Sequence, residues 1–152
     1  MDDKIVKVSI NSIAPIVEDK IRDGKCVEIT VTGMSMYPLF YNARDTVTLA
    51  PIKKIKRKGI YFYKREDGTY VLHRIIKIKG GEYFCVGDNQ TYIEGPLKED
   101  QFIAVVESFI RKGKKKSVKS LWFKVYSFVW CFSVKARPKL LRFIWKITGR
   151  KK

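Results

Sequence analysis

The chain is short of acid, of histidine and of cysteine, and each shortage closes off a class of function. Only 15 Asp and Glu stand against 32 Lys and Arg, a net charge of +17, so an anionic partner is expected: nucleic acid, an anionic membrane or acidic substrates. The three cysteines, Cys26, Cys85 and Cys131, are odd in number and widely spaced. That argues against a disulfide framework and against a metal motif, and it suits reduced thiols in the cytoplasm. With a single histidine and no metal-ligand spacing, no metal or other cofactor is expected. The opening M-D-D-K-I-V-K has no long apolar core, so neither a signal peptide nor an N-terminal anchor is expected. No internal repeat or low-complexity tract precedes residue 112.

What is present is enough for one folded domain: 152 residues, 45% of them apolar and 13% aromatic. Residues 12–24 read as an amphipathic helix, with Ser12 as cap, Pro15 in the first turn, Gly24 as stop and Ile13, Ile16, Val17 and Ile21 on one face. From Lys25 the period changes to two. Val27, Ile29 and Val31 alternate with Glu28, Thr30 and Thr32, a half-buried strand that ends at a Gly33–Pro38 bend. Further strands are expected around Val47 and Leu49, at 60–64, 69–78, 83–86 and 102–106, with Asp67-Gly68 and Gly80-Gly81 as turns. The fold class is therefore mainly β, a small coiled barrel or pair of sheets, with a short helix before it and amphipathic helices after it. Composition shifts at Arg111, where R-K-G-K-K-K reads as a solvated linker. Residues 1–110 form the expected β domain and 111–152 a basic linker and helical tail.

Three short blocks carry the chemistry: G-M-S-M-Y-P at 33–38, Y-V-L-H-R-I at 70–75 and G-D-N-Q at 87–90. In this order the chain resembles the superfamily of type I signal peptidases and the self-cleaving domain of LexA-type repressors, over about Val27 to Val106. The resemblance implies a β fold of the signal peptidase type and a serine endopeptidase acting on a peptide or protein precursor. It makes Ser35 the nucleophile. His73 falls at the position of the base, as in the Ser-His members typical of archaeal and endoplasmic-reticulum signal peptidases. Asp88 would be a structural or orienting acid, and Glu94 is the nearest match to a further acid; the blocks rank Asp88 first. Members commonly carry an acid where this chain has Lys58-Gly59-Ile60, and no role is assigned there.

The residue types support that chemistry. A serine hydroxyl needs a positioned base to take its proton. Histidine, near 6.5, titrates close to neutrality and needs only orientation, so activity is expected to rise through roughly pH 6 to 7.5. Glycine at the bend permits close substrate approach, and the Ser35 N–H with a neighbour could face an oxyanion.

The tail offers a second signal. Residues 118–134 are apolar and aromatic, with Ser120, Lys124, Ser127 and Lys135 expected to line a polar stripe. After Pro138, Lys139, Arg142, Lys146 and Arg150 recur at helical spacing. Such helices suit an anionic membrane interface, approached from the cytoplasmic side and held peripherally by the tail. The other readings are a first helix packed on the β domain and a single membrane pass. Nucleic acid is disfavoured, because large apolar faces do not suit it. A catalytically silent, membrane-associated peptide-binding module with the same fold is the alternative to the peptidase.

Overall fold

The computed structural model describes residues 10–132 and 134–149; M-D-D-K-I-V-K and the residues from Arg150 onward lie outside them. Helix α1 (Ile10–Arg22) starts before Ser12, which therefore lies inside it and is not its cap. It stops where Gly24, at φ 77°, lets the Lys25 and Gly24 amides bond back to Lys20 and Ile21. Ala14, Val17 and Ile21 are buried, whereas Ile16 faces outward instead of joining the expected apolar face.

Eight strands follow: β1 (Val27–Thr30), β2 (Thr46–Ala50), β3 (Ile60–Lys64), β4 (Tyr70–Lys79), β5 (Glu82–Val86), β6 (Glu94–Leu97), β7 (Phe102–Arg111) and β8 (Lys114–Ser117). They form one antiparallel sheet in the order β1-β2-β7-β3-β4-β5-β6, with β8 beside the end of β7. The protein is thus mainly β, as expected, and the strands make a single sheet. Its two faces separate two cores. In β3, Ile60 and Phe62 join the core under α1, while Tyr61 and Tyr63 join Ile75, Tyr83, Cys85 and Phe102 on the other face. Each fully buried side chain of this size contributes roughly 1.5–3 kcal/mol.

The segment read as a solvated linker is folded. Lys112 and Gly113 turn the chain at positive φ, and β8 zips back along β7, pairing Ile110 with Lys115. Beyond it, α2 (Leu121–Phe132) starts at Ser120, whose hydroxyl caps the Phe123 amide, and α3 (Arg137–Thr148) follows a short 3-10 turn. Both helices pack on the β residues: Phe123 enters the α1-side core, and Trp130 and Leu141 bury Tyr37. Ser127 is buried too, so the stripe expected to be polar and solvated turns inward there.

Candidate active site

The bend that carries Ser35 is held from both ends. The Val31 amide donates to the Asp45 carbonyl and the Ala43 amide to the Val31 carbonyl, extending the β1–β2 pairing past the strands. Between these points Gly33 takes φ 83°, a left-handed conformation that favours glycine, and its N–H donates to Asn42 Oδ1 at 3.0 Å. The buried Asp45 carboxylate accepts from the Tyr41 and Lys112 amides and from Arg44. Arg111 donates to the Leu39 and Pro38 carbonyls. Ser35 itself is half-buried. Among the described residues nothing accepts from the Ser35 or Met36 N–H, leaving two adjacent backbone donors at the bend.

His73 lies on β4 with 3% of its surface exposed. Directly opposite it on β3 is Tyr61, and two residues on is Tyr63, whose hydroxyl is 3.3 Å from His73 Nδ1. The same hydroxyl is 2.8 Å from Glu94 Oε2, and Arg65 grips both Glu94 oxygens at 2.7 and 2.8 Å. Burial would raise the Glu94 carboxyl, but the hydrogen bonds from Arg65 and Tyr63 outweigh it and hold the group below its ordinary value. Burial also raises the Tyr63 phenol, which therefore keeps its proton. A carboxylate can only accept, so Tyr63 donates to Glu94 and must accept from His73. This fixes the proton on Nδ1 and leaves Nε2 with its lone pair. Among the described residues Nε2 makes no hydrogen bond. Burial pushes His73 down to about 4; Glu94 pulls it back up, and Arg65 opposes Glu94. The imidazole therefore stays neutral to lower pH than an exposed histidine, because a dry site disfavours the imidazolium.

Ser35 is tied to the turn that follows β5, the strand whose Val86 pairs with Arg74, the residue after His73. The Ser35 carbonyl accepts the Asn89 N–H at 2.8 Å and lies 2.6 Å from where a Cβ on Gly87 would stand. Only glycine admits that approach. No hydrogen bond joins Ser35 Oγ to His73 among the described residues. Beside Ser35 a pocket of about 110 Å³ is walled by Ile29, Val31, Met36, Tyr70 and Leu72. Here β4 has no β5 partner before Arg74, and β1 pairs only with β2. A wider cleft of about 1020 Å³ runs from Met34 to Glu94 and Arg65, with Tyr37, Tyr92 and Trp145 on its walls.

Asp88 sits elsewhere. Both of its oxygens are 2.8 Å from the Arg74 guanidinium, and neither residue touches solvent. Tyr126 donates to the same carboxylate and Trp130 to the Asp88 carbonyl. The buried Arg137 then donates to the carbonyls of Gly87, Gln90 and Trp130. Of the four residues singled out in the sequence, the structure thus groups His73 with Glu94, gives Asp88 to Arg74, and holds Ser35 by its carbonyl against Gly87 and Asn89. The blocks ranked Asp88 ahead of Glu94; the contacts place Glu94, and not Asp88, beside His73. Tyr63, Arg65 and Arg137 were not foreseen. A tyrosine alternating inward on a strand and an arginine in a basic chain carry no signal that separates them from their neighbours.

Comparison of the chain with family models, curated proteins and solved structures finds no match. Among the described residues no three His, Cys, Asp or Glu side chains converge to hold a metal ion.

Proposed function

We propose that the protein is a serine endopeptidase of the signal peptidase type, hydrolysing a peptide bond in a precursor or leader peptide. The observation that carries the reading is the His73–Tyr63–Glu94 chain, which leaves Nε2 with its lone pair and, among the described residues, without a hydrogen-bond partner. An extended substrate adds to the open edges of β1 and of the first half of β4, with a small apolar side chain in the pocket beside Ser35. Ser35 Oγ attacks the scissile carbonyl carbon and its proton passes to His73 Nε2. The imidazolium is held by its Nδ1–H on Tyr63, which in turn leans on Glu94. The Ser35 and Met36 N–H groups receive the oxyanion. His73 then gives its proton to the leaving amine, and water, activated by the same nitrogen, releases the acyl group from Ser35.

A catalytically silent peptide-binding module is the second reading. It is favoured by the missing Ser35–His73 hydrogen bond and by a resting His73 that is a weak base. An acylating or β-lactam-type probe separates the two by intact mass. Wild type should gain one adduct that Ser35→Ala does not, and no adduct on wild type together with no cleavage of any peptide would leave the silent module.

A further inference from the structure

Helix α2 has its polar contacts inside and its apolar side outside. Inward, Ser127 accepts from Arg74 and Tyr126 donates to Asp88. Outward, Leu121, Val125, Phe128 and Phe132, spaced by four, three and four residues, are 78%, 55%, 57% and 87% exposed. Val129 stands beside them, also exposed, and α3 adds exposed Phe143 and Ile147. Soluble monomers rarely leave a contiguous apolar face of this kind in water.

The charge around the face is of one sign. From Ser108 to Lys152 the chain has no Asp or Glu and 15 of its 32 Lys and Arg. Lys119, Lys124 and Lys135 are exposed along α2 and its flanks, and Lys58 holds its ammonium 4.7 Å from the centre of the Phe128 ring. An occupant must therefore supply apolar matter and negative charge together. Nucleic acid would meet the lysines but leave the valine and leucine side chains in water. A second copy would cover the apolar stripe but bring +17 against +17. A bilayer with anionic headgroups supplies both. At 1.5 Å per residue the 12 residues of α2 reach about 18 Å, short of the roughly 30 Å hydrocarbon layer. Among the described residues no helix is long and apolar enough to cross a membrane, so α2 would lie in the plane of the surface.

We propose that the outer face of α2 docks the protein on an anionic lipid bilayer. Leu121, Val125, Phe128 and Phe132 enter the acyl boundary, and Lys58, Lys119, Lys124 and Lys135 meet the phosphates. Full-length protein is mixed with phosphatidylcholine–phosphatidylglycerol vesicles and sedimented, in parallel with phosphatidylcholine alone. It should bind the anionic vesicles, shift its tryptophan emission to the blue, and bind at least about tenfold more weakly at high salt. Val125→Glu with Phe128→Glu should weaken binding by roughly tenfold or more with an unchanged urea midpoint, since both side chains face solvent. Should that variant misfold, Lys119→Glu with Lys124→Glu must weaken binding at low salt instead. Wild type left in the supernatant, or either folded variant binding as tightly as wild type, overturns the proposal. A dimer in light scattering that the Val125→Glu/Phe128→Glu pair abolishes would overturn it in favour of a second copy. Peptidase activity enters none of these readings, so the result stands apart from the proposed catalysis.

Discussion

His73 and Arg74 are neighbours on β4, face opposite sides of the sheet, and are each served by one carboxylate, yet the two pairs are built for different ends. Arg74 meets Asp88 directly, two nitrogens on two oxygens, fully dry and roofed by α2. Burial disfavours its charge, but the Asp88 carboxylate more than compensates, and the guanidinium is held above its ordinary value. His73 meets Glu94 only through Tyr63, at 3.8 Å from Nδ1, and Arg65 already neutralises that carboxylate. The first pair is a permanent ion pair. The second keeps a neutral, oriented imidazole with an anion in reserve. Proximity to an acid therefore does not decide a residue's role; what decides it is whether another cation has claimed the acid first.

The largest effect that would break this contrast is on turnover. Ser35→Ala and His73→Ala should each lower kcat/KM on a cleaved peptide by roughly a thousandfold or more, the double variant losing little further. Full activity in His73→Ala would hand the base to another residue. Asp88→Ala should act on stability: stranding Arg74 without its partner costs about 3–5 kcal/mol, read as a lower urea midpoint. If Asp88→Ala matched wild type in stability but lost turnover, Asp88 would be the orienting acid after all.

Protonation gives a third measurement. The unfolded histidine titrates near 6.5 and the folded one near 4, so the unfolded state takes up the extra proton between these values. Stability present above pH 6.5 is lost as pH falls toward 4, by about 3 kcal/mol. His73→Asn should flatten that slope in urea titrations, and an unchanged slope would assign it to other groups. Glu94→Gln should leave stability within about 1 kcal/mol and lower kcat about 10- to 100-fold, with the small effect on folding because Arg65 retains solvent. The smallest effect is from Arg65→Met. Removing the cation frees Glu94 to favour the imidazolium, so the acid limb of the activity profile should move up from near 4. A downward move would mean that Arg65 only braces Glu94.

Much of the sheet was legible, because turns announce themselves. Gly24, Asp67-Gly68 and Gly80-Gly81 close their elements where expected, and period-two alternation marks β1. The order of the blocks singled out Ser35, His73 and Asp88, with Glu94 as a further acid; of the two acids the structure sets Glu94 beside His73. The linker at 111 misled because lysines read as solvated, whereas β7 outruns β3 and needs a partner for its last residues. The direction of α2 was hidden for another reason. Aromatics occupy nearly every side of L-W-F-K-V-Y-S-F-V-W-C-F, so periodicity cannot choose an inner face, and the choice falls to hydrogen bonds with Arg74 and Asp88. Arg137 carried no signal among so many basic residues, although it is fully buried and satisfies three carbonyls.

Because the Asp88 loop is gripped by Tyr126, Trp130 and Arg137, the order of synthesis matters to this molecule. A ribosome that has delivered every strand has not yet delivered the residues that fasten Gly87, Asp88 and Gln90. Asn89, whose amide holds the Ser35 carbonyl, waits with them. The bend is therefore expected to set only after α2 and α3 have emerged, which would make the last helices a time lock. Chains arrested after Ser120 should fail to react with an acylating probe that labels the released protein, whereas equal labelling would show that the bend sets without them.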